Sequence, residues 1–347
     1  MTDRFGPNTP LKSADDLAAA GLVGAERLDE MRRVGARYAI AVTPAMAAMI
    51  DPNDPHDPIG AQFLPDAREL VRLPVESDDP IGDDAHSPVK GLIHRYSDRV
   101  LLKVVHACPV YCRFCFRREM VGPKGLGALT GADLDRAIAY IADHPAIFEV
   151  VLTGGDPFVL SARRVKTLTA RLSAIDHVKV IRWHTRVPLV DPDRITPDFV
   201  RALAQSTKTI VVGVHANHAR EFTPAGVAAL ARLADRGVML VSQTVLLRGI
   251  NDNPETMADL MRAFLSARVK PYYLHQADFA PGTSHWRTSI AEGQALMRAL
   301  RGGLSGLAQP TYVLDVPGGA GKVPIGPNHV GKGVIEDVGG NLRAYPE

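Results

Sequence analysis

The three cysteines of the chain, Cys108, Cys112 and Cys115, fall within eight residues, in the run His106-Ala-Cys-Pro-Val-Tyr-Cys-Arg-Phe-Cys-Phe-Arg-Arg118. Thiolates spaced C-x3-C-x2-C can hold three irons of a four-iron cluster. The fourth iron then lacks a protein ligand, and an open iron can bind and reduce a substrate or cofactor. A disulfide framework fits poorly, because the count is odd and nothing suggests secretion. A structural zinc site needs four Cys or His ligands, and His106 is the only nearby candidate for the fourth. Inert buried cysteines are common, but not three so close together.

A second group of residues carries weaker signals. Lys322 ends the Gly-rich run Pro317-Gly-Gly-Ala-Gly-Lys-Val323. A P-loop would need Gly at the position of Val316 and Ser or Thr at that of Val323, so that reading fails. A lysine held on a loop can form a Schiff base with an aldehyde cofactor. From these residues alone, a solvated lysine on a glycine turn is the simpler account. Gly154-Gly155-Asp156-Pro157 would let a ligand approach the backbone, with Asp156 as an acceptor, or it is an ordinary βα turn. Arg95 and Arg99, four apart in His94-Arg-Tyr-Ser-Asp-Arg99, suit a phosphate or lie on a surface. Asp278 and Asp315, together with Arg117, could bind a molecule that is anionic at one end and cationic at the other.

The elements that must position these residues are a regular alternation. Apolar runs rich in Val, Ile, Leu and Tyr occur at Leu101–His106, Phe148–Thr153, Val178–Trp183, Thr209–Val214, Val238–Gln243 and Lys270–Gln276, as in buried parallel strands. Amphipathic helices separate them, with apolar faces at Leu134/Ile138/Ile141, Val227/Leu230/Leu233 and Met257/Leu260/Met261/Phe264. Thr130 with Asp133 resembles a capping box, and Thr196-Pro197 and Thr223-Pro224 read as N-caps followed by proline. Six such units predict an α/β fold, a partial (β/α)6 barrel with its site at the C-terminal strand ends. The cysteine run follows the first strand directly. Residues 1–90 read as an N-terminal region of short helices (14–20, 25–34) and loops, with a turn-rich linker at Asp51–Pro58 and another loop at Asp78–Asp84. Residues 91–305 read as the barrel core. Residues 306–347 form a C-terminal segment carrying Lys322, with short strands at Thr311–Val316 and Gly333–Asp337.

With 46% apolar and 22% charged residues the chain has an ordinary globular composition, and a net charge of +2 gives no case for nucleic acid or an anionic membrane. The opening Met-Thr-Asp-Arg-Phe-Gly-Pro is no signal peptide. The apolar stretch from Ala39 to Ile50 is too short to span a bilayer. A cytoplasmic protein is expected.

The combined motifs resemble the lysine 2,3-aminomutase family of radical S-adenosylmethionine enzymes. The cysteine run with Phe114 before its last cysteine is similar to the radical S-adenosylmethionine signature. His94–Arg99, Tyr111–Arg118, Gly154–Pro157, Ser242-Gln-Thr-Val-Leu-Leu-Arg-Gly-Ile-Asn-Asp252, Pro271-Tyr-Tyr-Leu-His275 and Asp315–Lys322 match that family in order, from about residue 90 to 335. The resemblance implies a radical-SAM barrel and an isomerase that converts L-lysine to β-lysine through a 5′-deoxyadenosyl radical acting on a pyridoxal phosphate aldimine. It implies a 4Fe-4S cluster on Cys108, Cys112 and Cys115, S-adenosylmethionine beside Gly154, Gly155, Asp156 and Gln243, and pyridoxal 5′-phosphate on Lys322 with Arg95, Tyr96 and Arg99 near its phosphate. Arg117 falls at the position gripping the substrate carboxylate, and Asp278 and Asp315 at those holding its ε-ammonium. Two carboxylates there favour lysine over glutamate, whose own carboxylate they would repel. A homo-oligomer and a reducing donor such as flavodoxin or ferredoxin are also implied.

The longer family members carry zinc-binding cysteines in a C-terminal extension. With no spare cysteine, no zinc is expected here. The length is closer to relatives that make (R)-β-lysine for elongation factor P, whereas the paired aspartates and the full Gly-rich loop look more like the free-lysine enzymes, so both destinations stand open. An iron-sulfur sensor or scaffold without turnover is a third reading, one that leaves Lys322 unexplained.

Overall fold

The computed structural model describes residues 9–122 and 128–345; the opening heptapeptide read above lies outside them. A nine-stranded sheet dominates, with strands in sequence order: β1 (Leu92–Tyr96), β2 (Arg99–Val105), β3 (Glu149–Gly154), β4 (Val180–Thr185), β5 (Thr209–His215), β6 (Met239–Val245), β7 (Lys270–His275), β8 (Thr311–Val316) and β9 (Gly321–Pro324). β2 through β8 run parallel. β1 lies antiparallel on β2, and β9 antiparallel on β8.

The helices Gly131–Ala142, Ala162–Ser173, Pro197–Ala204, Pro224–Ala234, Pro254–Ser266 and Ile290–Gly303 each follow one of β2 to β7. These are the six expected βα units. Thr311–Val316 adds a seventh parallel strand to the same sheet. Alternate strand residues, among them Val150, Leu152, Ile181, Trp183, Val212, Val214 and Leu274, form one continuous core with the helices, while residues between them such as Arg182, His184, Gln243 and Val245 line the barrel interior, so that β4 and β6 alternate in burial.

The cap residues act as their spacing predicts. Thr130, Thr196 and Thr223 accept the N–H groups of Asp133, Phe199 and Gly226 at 3.1–3.2 Å. The Asp133 carboxylate does not complete a capping box through the Thr130 backbone; it accepts the Thr130 hydroxyl (2.8 Å) and Lys90 (3.0 Å). Phe148, expected to open a strand, is half exposed and precedes β3. Residues 25–34 resolve into a 3-10 turn, Ala25–Arg27, and a helix, Leu28–Arg37. The linker read at Asp51–Pro58 ends in a further helix, Pro58–Phe63, capped by Asp57 through the Gly60 N–H (2.6 Å). Val334–Glu336 is a strand of a separate three-stranded antiparallel sheet with Val330–Gly331 and Leu342–Ala344.

The N-terminal region has its own apolar cluster, including Leu17, Met31, Val42, Met46, Ile59 and Phe63, which takes in Val110 and touches Cys112 from the cysteine loop. β1 and β9, the two edges of the sheet, are not paired, but they meet at one point: the Tyr96 hydroxyl accepts the Lys322 backbone N–H at 2.6 Å. Among the described residues no helix is long and apolar enough to cross a membrane.

Candidate active site

A cavity of about 450 Å³ runs through the barrel. Cys108, Cys112, Cys115, Gly154, Gly155, Asp156, Gln243, Arg95, Tyr96, Arg99, Arg117, Asp278, Asp315 and Lys322 all line it, so every residue singled out from sequence reaches one space. His106 does not. Among the described residues no group of three or more His, Cys, Asp or Glu is gathered to grip a single ion.

The cysteine loop is mounted on the N-terminal region by buried charge. The Arg113 N–H donates to the Gln62 carbonyl (2.9 Å), and its guanidinium reaches the Ala39 carbonyl (2.7 Å) and both oxygens of Glu69 (2.6–3.1 Å). Arg118 joins the same carboxylate. Glu69 is fully buried; burial pushes its carboxyl up, but the two guanidiniums prevail and hold it below the usual range. On the far side Arg186 donates to Cys112 Sγ (3.0 Å), Gln62 (2.5 Å) and Glu221 (2.6 Å). Burial pushes the Cys115 thiol up to about 11 and raises the Cys108 thiol well above its usual range, so these sulfurs need a cationic partner to ionise.

The Gly154–Asp156 turn packs tightly against the cysteine loop. A Cβ on Gly155 would lie 2.3 Å from the Ala107 carbonyl oxygen, and Gly154 adopts a φ of +113°, so glycine is required at both. The Asp156 carboxylate accepts the N–H groups of Phe158 (3.0 Å) and Arg186 (2.7 Å) and the Thr185 hydroxyl (2.7 Å). It braces the ends of β3 and β4, and the free acceptor expected there is already engaged.

At the other end, Lys322 Nζ contacts the Asp315 carboxylate and His275 Nδ1 (3.2 Å), and His275 Nε2 is bonded to Gln243 (2.7 Å). Burial, then the charge of Lys322, lowers His275 to about 4 and leaves the ring neutral. Burial, then repulsion from Asp315, raises Asp278 to about 7. Arg99 lies over the Tyr96 ring, 3.7 Å from its centre. Arg95 and Arg117 are both paired with Asp83, at 3.1 and 3.0 Å. Several polar atoms around the cavity have no hydrogen-bond partner among the described residues: Arg95 Nε, His184 Nε2 and His215 Nε2. Buried atoms of this kind normally have a partner, so the cavity is built for a polar ligand.

Sequence reasoning missed Glu69, Asp83, Arg186, Glu221 and His275. His275 stood within the Pro271–His275 motif, at the end of its strand, where a site residue was to be expected. The others had no local signal.

A partial barrel with three cysteines on the loop after its first parallel strand is the arrangement of the radical SAM superfamily, whose profile matches residues 102–261. A profile described as lysine-2,3-aminomutase matches residues 297–347. The chain is 40% identical over 313 residues to the L-lysine 2,3-aminomutase of Clostridium subterminale, covering 89% of this chain and 75% of the relative. It is 37% identical over 300 residues to that of Escherichia coli K12, covering 86% and 87%. A glutamate 2,3-aminomutase of Clostridioides difficile is 35% identical over 300 residues, covering 86% and 70%. The chain belongs to the lysine 2,3-aminomutase family.

Proposed function

We propose that the protein is an L-lysine 2,3-aminomutase that uses a 4Fe-4S cluster, S-adenosylmethionine and pyridoxal 5′-phosphate. The observation that carries this reading is the shared cavity: three cysteines line it together with Lys322 and the Asp278/Asp315 pair. When bound, the cluster and S-adenosylmethionine supply a carbon radical, and pyridoxal phosphate carries the migrating amino group.

The chain's own residues bind, orient and exclude water. Cys108, Cys112 and Cys115 would hold the cluster, with the Arg186 guanidinium donating a hydrogen bond to Cys112 Sγ. The Gly154–Asp156 backbone would bound the S-adenosylmethionine side, and Gln243, assigned to the same cofactor, is held by its bond to His275, the ring that also contacts Lys322. Lys322 is the attachment point for pyridoxal phosphate, and Arg95, Tyr96 and Arg99 stand near its phosphate. Arg117 takes the substrate carboxylate and Asp278 and Asp315 the ε-ammonium. The elevated Asp278 supports a cationic ligand: an ammonium placed there relieves the repulsion from Asp315. A glutamate side chain would worsen it, which favours lysine. A cytosolic protein fed by a flavodoxin- or ferredoxin-type donor, acting as a homo-oligomer, accords with this chemistry.

Reduced, iron-reconstituted protein supplied anaerobically with L-lysine, pyridoxal phosphate and S-adenosylmethionine should yield β-lysine, resolved by chiral chromatography. An (S) product fits a free amino acid role and an (R) product a translation-factor role. Iron-replete protein that gives neither would overturn the reading. Lys322→Ala should lose the visible absorbance of bound pyridoxal phosphate and keep its iron.

A further inference from the structure

We propose that Asp83 is a positioning residue that couples the two cationic grips of the site, Arg95 and Arg117. The inference rests on the reading of Arg95 as a phosphate contact and Arg117 as the contact for the substrate carboxylate.

Each carboxylate oxygen serves one arginine. Asp83 Oδ1 accepts from Arg95 Nη2 at 3.1 Å, and Oδ2 accepts from Arg117 Nη2 at 3.0 Å and Nε at 3.3 Å. The carboxylate is a bridge between two guanidiniums that would otherwise repel. All three side chains are deeply buried, with the Asp83 side chain 2% exposed. Arg95 and Arg117 line the cavity and Asp83 stands behind them, outside the lining. It acts through the arginines without touching a ligand. Burial raises its carboxyl, but Arg117, Lys103 and Arg95 hold it below the usual range, so it stays charged near neutral pH.

The segment carrying Asp83 is itself fixed. The Asp79 carboxylate accepts the N–H groups of Asp83 (2.8 Å) and Asp84 (2.9 Å), and the Ile81 carbonyl accepts from Arg95 (2.7 Å). Gly82, at φ +67°, lies so close to the lysine-bearing loop that a Cβ would sit 2.6 Å from the Gly318–Gly319 backbone, and His86 Nε2 is 3.1 Å from the Gly319 carbonyl oxygen. One stretch of the N-terminal region therefore touches the phosphate grip, the carboxylate grip and the loop before Lys322. A shift of either arginine is transmitted to the other through a shared, rigidly held anion.

The test is a pyridoxal phosphate titration of iron-replete protein without lysine, read by absorbance, on wild type, D83N, D83E, R117Q and D83N/R117Q. D83N should weaken pyridoxal phosphate binding about tenfold, as for loss of a charge-assisted hydrogen bond. R117Q should weaken it several-fold although Arg117 is assigned to the substrate carboxylate, and should add nothing in the D83N background. D83E, which keeps the charge, should recover most of the affinity. In turnover, D83N should raise KM for lysine more than it lowers kcat. Unchanged affinity in R117Q, or effects of D83N and R117Q that simply add, would overturn the coupling; the R117Q arm decides this even if D83N does not fold. The titration requires no turnover. Coupled arginines without β-lysine would sink the aminomutase reading alone, and β-lysine with uncoupled arginines this inference alone.

Discussion

The two ends of the cavity are built on different electrostatic plans. At the cysteine end every one of these buried ions has an oppositely charged partner: Glu69 takes Arg113 and Arg118, and Arg186 takes Glu221, all nearly inaccessible to solvent. At the lysine end the charges are crowded and incompletely matched. Two aspartates face one lysine, a histidine is held neutral, and Asp278 is driven up to about 7. A buried network in which each ion is paired is a mount, because breaking it leaves an uncompensated ion. A buried, unsatisfied one is a receptor, because a ligand of the right charge completes it. The difference separates the part of the molecule that must hold still from the part that must accept something.

Three substitutions probe that contrast. Glu69→Gln has the largest expected effect. It strands two buried guanidiniums and should destabilise the fold by ~3–5 kcal/mol, lowering both the melting temperature and the iron retained per chain. If iron content and melting temperature held at wild-type values, the cysteine end would not be the mount described.

Asp278→Asn should do the reverse: lose activity and gain stability. Removing one partner of a buried charge pair with the substrate should cut kcat/KM for lysine about a hundredfold or more. The folded carboxyl binds its proton up to about 7, against 3.8 ordinarily. The native state thus carries a proton that the unfolded chain has released, and stability from this group is full below 3.8 and lost as pH rises to 7. D278N should therefore raise the melting temperature above pH 7 and leave it unchanged below pH 4. In the wild type, KM for lysine should climb as pH falls through about 7, because ammonium binding requires the ionised form. A flat KM profile between pH 6 and 8 would remove Asp278 from the ammonium site.

Tyr96→Phe is the mildest. It leaves the half-buried Lys322 N–H without its acceptor, at about 1 kcal/mol. Pyridoxal phosphate affinity should drop several-fold in an absorbance titration, with iron content untouched; a fall in iron would mean that the two ends are not separable.

Much of this site was legible because its chemistry is local in sequence. Cys108, Cys112 and Cys115 share one loop, Lys322 ends a glycine run, and Gly154–Asp156 sits at a strand end, so spacing alone marked them. The barrel was legible for a similar reason, since its strands and caps repeat at short range. What escaped was pairing at long range. Glu69 lies 44 residues from Arg113, Arg186 lies 35 from Glu221, and Asp83 lies 34 from Arg117. Within Asp66-Ala-Arg-Glu-Leu70 or Asp78–Asp84 an acidic residue looks like a solvated surface charge until folding brings its partner to it. The Pro58–Phe63 helix is a different omission: Asp57-Pro58 carries the same N-cap and proline signature as Thr196-Pro197, embedded in a stretch with too many prolines for it to stand out.

The meeting of Tyr96 and Lys322 has a consequence for how the molecule comes into being. The two residues are 226 positions apart, and contacts that far apart close large loops and form late. A chain emerging from the ribosome exposes its cysteine loop and the Glu69 side of its mount long before β9 has been synthesised. Assembly thus has a direction: a chain stopped short of the last strand keeps its three cysteines and lacks the lysine, whereas no truncation from the C-terminal end yields the lysine without the cysteines.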